Sequence, residues 1–528
     1  MRILYYIFSK ALDKFLRRYH FDIEPPLWEI SHKKEYGDFS TMIALKIGSV
    51  LKDDSLKVAS ELKSALEKEL KGYVDKIDII KPGFVNIFVS RKGLIESLNR
   101  ILKEKSNFFK ERRKRKVILE FVSANPTGPL SIAHGRQAVV GDVISRIFDF
   151  FGNDVLREYY LNDEGRQIEL LVKSTEERIK EIKGEKFSLP KDGYPAEYVK
   201  DIACKAVNIP KEELKSFVIS HMISLIKSEL SSLGIDFDNW FSQKELLERG
   251  KVKEAIGLLK RKGFVYEKDN AVWFLSSKFG DDKDRVLIKS DGKLTYFASD
   301  VAYHRDKAER GFDRIINLWG PDHHGYINRV KAVIKAFGYN EHILKVIIIQ
   351  LVTIKTKERM SRRKGTAVLL SDLINEVGKD AVRFYYLLRR NSSPLEFDID
   401  LAKSFSFDNP LYYIQYAHAR IKSIFRKAKI KEFSPKFSKY LEEEELYIIR
   451  DILQFAHCLD KVYYSLEPVF LIEYLKKIAV SFHHFYERKR VLGDNKNKTF
   501  ARLNLLEGLR VVLKCGLEML GINAWDKM

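Results

Sequence analysis

The stretch from Val117 to Leu161 constrains the fold more than any other part of the chain. Val117 to Val122 is an apolar run rich in β-branched residues and reads as a buried strand. Asn125 to Pro129 is a loop punctuated by Pro and Gly, and apolar residues then recur at helical spacing as far as Gly152. A second strand-like run, Val155 to Leu161, follows at once. Strand, turn, helix and strand make a βαβ unit, which requires a parallel sheet covered by helices. The turn leaves backbone N–H groups of the helix start at the carboxyl edge of that sheet, a place that favours a phosphate-bearing ligand.

Length allows further domains around this unit: 528 residues suffice for about three separate cores. With 45% hydrophobic and 32% charged residues the chain reads as globular and soluble, and no segment is apolar enough to span a bilayer. The formal net charge of +21 points to a polyanionic partner, although a lysine-rich or thermophile-type surface gives the same figure. Cys204, Cys458 and Cys515 lie far apart with no C-x-x-C spacing, which argues against a disulfide framework or a zinc site and fits a reducing cytoplasm. The apolar start MRILYYIF is too short for a signal sequence and runs straight into an amphipathic helix.

Taken in order, residues 1–110 read as a small α/β domain: a first helix, a charged helix through Lys71, and a strand pair ending at Lys81 to Ser90. Lys110 to Lys116 is a basic run, a solvated linker with phosphate contact as the second reading. Residues 173 to about 232 are helical and charged and read as an insertion between the halves of the sheet. Leu294 to Phe297 is expected as a strand, Ser299 to Arg310 as a helix stopped by Gly311, and Arg314 to Trp319 as the next strand, together a second βαβ. Lys345 to Lys355 reads as one buried strand. Beyond Asp400 the pattern is wholly helical.

Within the first unit the pattern Pro126-Thr127-Gly128-Pro129-Leu130, followed by His134-Gly135-Arg136, resembles the ATP-binding motif of class I aminoacyl-tRNA synthetases. The surrounding frame resembles the bacterial arginyl-tRNA synthetases in particular. Three further segments extend the likeness over the whole chain: Arg157 to Leu171, Gly280 to Arg329, and Asn409 to Ala428. The resemblance implies an α/β fold: a Rossmann-like, doubly wound parallel-sheet catalytic domain over 111–400, a small α/β tRNA-contacting domain over 1–110, and an all-helical anticodon-binding domain over 401–528. It also implies arginine, ATP with Mg2+, and tRNA as substrates, in the cytoplasm, with no structural metal and action as a monomer.

The same resemblance assigns roles residue by residue. His134, Ser131, Arg362 and Lys364 would act on the reacting phosphates. Pro129, Ala133, Gly135, Asp322 and His324 would surround ATP, together with Arg359, Met360, Ser361 and Arg362 of a loop similar to the family's Lys-Met-Ser-Lys-Arg. Asn125 would hold the amino group of arginine, and Gln243, Tyr296 and Asp300 its guanidinium. Tyr412, Gln415, Tyr416 and Arg420 would meet unpaired anticodon bases, although tyrosines four apart on a helix are more often core.

Four positions depart from the family pattern. Ser131 and Ala133 stand where the first His and the Gly of His-x-Gly-His are usual, Gln243 stands for Glu, and Arg362 for Lys. The lysine with which some arginyl enzymes compensate for the last change corresponds here to Gly128. Two readings follow, an active ligase or a tRNA-binding paralogue with weak or no aminoacylation. Asp300 also has a second reading, as a helix cap with Ser299. Asp322, His323 and His324 read as the rim of the adenylate pocket in preference to a metal cluster.

Overall fold

The computed structural model describes residues 4–19, 28–31, 34–355, 368–430 and 432–528. Packing divides the chain into two compact units, Met1–Glu111 with Leu401–Met528, and Arg112–Asp400.

In the first unit the N-terminal part contains α1 (Leu4–Arg18), β1 (Glu29–Ile30), β2 (Phe39–Thr41), α2 (Ile43–Leu51), α3 (Ser55–Glu69), β3 (Val74–Ile80), β4 (Phe84–Val89) and α4 (Arg91–Glu104). Its strands form an antiparallel sheet in the order β1-β2-β4-β3. Asp54 and Ser90 cap α3 and α4, each accepting a backbone N–H from the first turn.

The second unit holds the sheet that the first motif demanded. In chain order it contains β5 (Lys116–Glu120), α5 (Ile132–Phe150), β6 (Asp154–Leu161), α6 (Arg166–Ile182), α7 (Glu197–Ala206), α8 (Lys211–Ser232), β7 (Asn239–Ser242), α9 (Gln243–Glu248) and α10 (Lys251–Arg261). There follow β8 (Val265–Lys268), β9 (Ala271–Phe274), β10 (Arg285–Ile288), α11 (Tyr296–Glu309), β11 (Arg314–Trp319), α12 (Ile327–Ala336), β12 (Leu344–Ile348) and β13 (Val352–Lys355). Then come α13 (Leu370–Val377), α14 (Lys379–Tyr386) and β14 (Leu395–Asp398), and the unit ends within the short α15 (Ile399–Lys403).

Five strands pair in parallel in the order β12-β11-β5-β6-β7. From β5 the chain winds outward through β6 and β7, then returns to the other side of β5 to lay down β11 and β12. The switch point therefore lies between β5 and β11, where a crevice opens at the carboxyl ends of the strands. The residues of β5 are buried from Val117 to Glu120, as a central parallel strand covered on both faces must be.

Helix α5 lies close against this sheet because Gly141 lacks a side chain: a Cβ there would stand 2.4 Å from the Phe121 ring. Gly141→Ala should therefore lower stability by about 1–3 kcal/mol through overpacking, read as a lower urea midpoint at constant m. A mutant as stable as the parent would show that α5 is not held at this separation. The far side of α5 is anchored by a buried ion pair between Asp142 and Arg383, whose guanidinium also donates to Leu233 O at 3.0 Å.

Helices α6, α7 and α8 have a core of their own around Leu171, Ile202, Val218 and Met222. They are not an insertion between the halves of the sheet, as expected near 173–232: α6 starts at Arg166 and the three helices lie between β6 and β7, neighbouring strands of one half.

Three further expectations need correction. Leu294 to Phe297 is not a strand: Leu294 makes one isolated bridge to Ile288, and Thr295 caps a helix that begins at Tyr296. The strand before α11 is β10, which joins an antiparallel β10-β9-β8 sheet, so the second parallel crossover is β11–α12–β12. Lys345 to Lys355 is two strands, β12 in the main sheet and β13 paired in parallel with β14. The apolar run is continuous in sequence, but the Ile349 and Gln350 N–H groups bond Trp319 O and Asn391 O, which turns the chain from one sheet to the other.

The C-terminal part of the first unit is helical: α16 (Pro410–Ala428), α17 (Glu443–Ser465), α18 (Val469–Arg488) and α19 (Lys496–Met519). Helix α4 packs on α17 and α19. Ion pairs Arg450–Asp38 at 2.6 Å and Lys105–Glu507 at 2.8 Å, with a Phe109–Phe455 edge contact at 5.0 Å, join the two ends of the chain.

Candidate active site

At the β5/β11 switch point lies a cleft of about 520 Å3. Its floor comes from the ends of β5 and β11 and from α11, and its walls from the α5 start and the β6 and β7 ends. Asp300, one turn into α11, stands in this cleft with Glu120, the last residue of β5. Since Thr295 caps α11 through the Ala298 N–H, Asp300 is not needed as a cap.

The floor is a connected polar layer. Glu120 accepts from the fully buried Lys307 Nζ at 2.5 Å, and Lys307 also donates to Asn317 Oδ1 at 2.9 Å. Asn317 Nδ2 lies 3.0 Å from His304 Nε2, and the opposite ring nitrogen lies 2.9 Å from the Asp300 carbonyl. A carbonyl only accepts, so Nδ1 carries the proton and Nε2 accepts from the amide. Burial, aided by the Lys307 charge, pulls His304 down to about 4 and keeps it neutral.

Asp300 is shifted the other way. Burial first, and then the Glu120 charge, push its carboxyl up to about 7, while Arg329 and Lys307 oppose the rise. A half-buried carboxylate poised in this way gains from an incoming cation. Burial and the charge of Asp300 hold the Tyr160 phenol protonated, and it donates to Gln243 Oε1 at 3.1 Å.

On the opposite wall His134 is fixed by the helix start. The Ser131 N–H donates to His134 Nδ1 at 3.2 Å, completing a capping box, and Ser131 Oγ lies 3.2 Å from the same nitrogen. Nδ1 is thus an acceptor and Nε2 carries the proton. Burial lowers the imidazole pKa, opposed by the Asp322 charge, so His134 is a neutral donor. Nearby, Asn125 Nδ2 donates to Gln167 Oε1 at 2.6 Å.

The loop before α5 is tied in turn to the segment at 368–370. Ile132 N donates to Val368 O at 3.2 Å, Leu370 N donates to Leu130 O at 2.8 Å, and Ser131 bridges Leu369. Arg359, Met360, Ser361, Arg362 and Lys364 lie outside the described residues.

Of the other expected site residues, Asn125, His134, Gln243, Tyr296, Asp300 and Asp322 line one cleft. Tyr296 sits exposed at its rim. Pro129, Ser131, Ala133, Gly135 and His324 are not in its lining. Gly135 instead serves packing, since a Cβ there would meet Leu370 at 2.5 Å and Tyr386 at 2.9 Å. His324 is exposed, and its neighbour His323 turns to the cleft, 3.3 Å from Asp322. Glu120, Gln137 and Tyr160 were missed; a carboxylate ending a buried central strand was the legible signal for the first.

In the first unit, Tyr412 and Tyr416 stack at 6.0 Å, and Tyr416 stacks on His483 at 5.9 Å. Phe407 sits against both tyrosines and Phe405 against Tyr412, each phenylalanine well exposed. Arg420 donates to Tyr486 Oη at 2.7 Å. Gln415 is buried and its amide donates to Asn523 O at 3.0 Å, so it serves the helical core.

A parallel sheet with a βα turn, a neutral histidine donor on one wall and a half-buried carboxylate on the other suits an enzyme that holds a phosphate-bearing ligand beside a cationic one. The class follows from comparison with known proteins. Residues 97–392 match the family model described as tRNA synthetases class I (R), catalytic domain, flanked by the arginyl tRNA synthetase N terminal domain at 3–89 and the DALR anticodon binding domain at 414–528. The chain is 41% identical to an arginine–tRNA ligase of Aquifex aeolicus over 98% of its own length and 99% of the relative's. It is 40% identical to the Thermotoga maritima ligase over 95% of each. Among solved structures, the Thermus thermophilus arginyl-tRNA synthetase superposes with a TM-score of 0.81 at 20% identity over the whole of both chains, a likeness of fold. The chain belongs to the arginyl-tRNA synthetase family, and its class of activity is that of an ATP-dependent aminoacyl-tRNA ligase. Among the described residues, no helix is long and apolar enough to cross a membrane.

Proposed function

We propose that this chain activates L-arginine with ATP and Mg2+ to an enzyme-bound arginyl-adenylate and passes the arginyl group to its tRNA. One observation carries the reading: His134 and Asp300, from two separate strand–helix crossings, face a single cleft at the switch point. The chemistry asks little covalent work of side chains and depends on holding two substrates in line. Asp300, backed by Glu120 and flanked by Tyr296 and Gln243, takes the guanidinium. Asn125 takes the amino group. His134, through Nε2–H, stabilises charge on the α-phosphate as pyrophosphate leaves, with Arg362 and Lys364 as further cations. Mg2+ enters with ATP as part of the substrate.

The helical part takes the anticodon at the cluster of exposed Phe405 and Phe407 with half-buried Tyr412 and Tyr416, where aromatic rings offer stacking faces to unpaired bases. The enzyme works as a monomer in the cytoplasm. Purified protein should charge an arginine tRNA when ATP, Mg2+ and tRNA are all present. Absence of acid-stable arginyl-tRNA above the blank would instead identify a tRNA-binding paralogue.

A further inference from the structure

Arg136 follows the signature histidine in sequence but takes no place in the cleft. It is fully buried, among the largest side chains in the protein without solvent contact. Nη1 donates to Gln350 O and to Ser393 O, both at 2.9 Å, and Nη2 donates to Arg390 O at 2.9 Å. These three carbonyls belong to two segments distant in sequence, the turn before β13 and the turn before β14. The turns are also joined directly, by Gln350 N to Asn391 O and Leu395 N to Leu351 O, both at 2.9 Å. Beyond them β13 and β14 pair from Val352↔Leu395 to Lys355↔Asp398.

We propose that Arg136 is a positioning residue for the adenylation step: its guanidinium binds helix α5, which carries His134, to the β13–β14 pair, and so fixes where the chain leaves β13 relative to that histidine. The inference rests on the reading of the site given above. Physically, a planar guanidinium with five donors in a fixed fork can span three carbonyls at once, whereas an ammonium at the end of a lysine stem cannot reproduce that geometry. The acceptors are all main chain, so what is held is the course of the backbone and not the identity of any side chain. Farther along the chain, Leu130 and Ile132 bond Leu370 and Val368. The backbone at 350–351 and at 368–370 is thus tied to the same signature turn and helix.

The test uses Arg136→Lys and Arg136→Gln in the full-length protein, assayed by arginine- and tRNA-dependent ATP–pyrophosphate exchange. Losing at least one bond to a charged donor should lower kcat by about tenfold or more while leaving the KM for arginine within about twofold. Amide hydrogen exchange in 350–355 and 393–398 should accelerate by about the same factor, with β5 and β11 unchanged. Parental kcat and exchange in both variants, or a matching loss in arginine KM, would overturn the proposal. If neither variant folds, exchange in the unaltered protein decides. The amides of Gln350 and Leu395 should open together with those of mid-α5, and faster, independent opening would refute a rigid tie. A wild-type protein that charges no tRNA would sink the functional reading alone, because the exchange measurements stand without it.

Discussion

Replacing Asp300 with asparagine should raise the KM for arginine by about 3–30-fold and leave that for ATP within a few-fold, because a charge-assisted hydrogen bond is worth about 1.5–3 kcal/mol against about 1 kcal/mol for a neutral one. The amide keeps the shape of the carboxyl but withdraws its charge from the cleft. Glu120 does not replace it, since its charge is committed to Lys307 at 2.5 Å. The pH dependence gives a second signature. Burial and the Glu120 charge raise the Asp300 carboxyl to about 7, against the pull of Arg329 and Lys307, so near neutrality the free enzyme is a mixture of protonated and ionised forms.

A guanidinium selects the ionised form and expels the proton. Arginine kcat/KM should therefore fall about tenfold per pH unit below about 7 and level off above it. For folding the sign differs: the native state holds a proton that the unfolded chain releases, so this group's contribution to stability declines as pH rises from the ordinary carboxylate range toward 7. Asp300→Asn should abolish the acid limb of the arginine profile. An unchanged limb in that variant would remove Asp300 from the guanidinium site.

His134→Ala should lower kcat for adenylate formation by about 10²–10³-fold with little change in either KM, the effect of deleting one donor that acts mainly on charge developed in the transition state. The imidazole is set up for that work by the helix start, where Ser131 N–H fills Nδ1 and leaves the proton on Nε2. Burial depresses its pKa, so no titration of His134 should shape kcat between about pH 7 and 8. A substitution that raised the KM for ATP at constant kcat would mean His134 binds the ground state and transition state alike. Ser131 also acquires a role that its departure from the family pattern concealed. Its hydroxyl and N–H both meet Nδ1, so a histidine there would have to give up the hydroxyl contact that helps hold its neighbour.

Gln243 shows why a residue's type is a poor guide to its strength of contact. As a neutral amide it lacks the charge of the usual glutamate, yet it is buried and takes the Tyr160 proton at 3.1 Å. Its remaining capacity faces the cleft beside Asp300. Most of the charge free to meet the guanidinium therefore rests on one carboxylate, which is why substituting Asp300 should cost more than substituting Gln243.

That His134, Asp300, Tyr296 and Asn125 share a site was an expectation from the family resemblance; the sequence alone determined the first parallel crossover, the helices over 173–232 and the helical C-terminal part. Those features are written in periodicity and in turn residues, which report local burial and local backbone geometry. Tertiary structure alone decided that Lys345 to Lys355 serves two sheets, since an apolar run records burial but not the partner of its hydrogen bonds. It decided too that Gly135 is a packing residue, that Gln415 belongs to the helical core, and that Arg136 reaches two turns far along the chain. Each of these depends on a group brought close only by the completed fold. For the same reason nothing local foretold that the first 111 residues and those from Leu401 onward would close into one unit, because Asp38 and Arg450 are neighbours only in space.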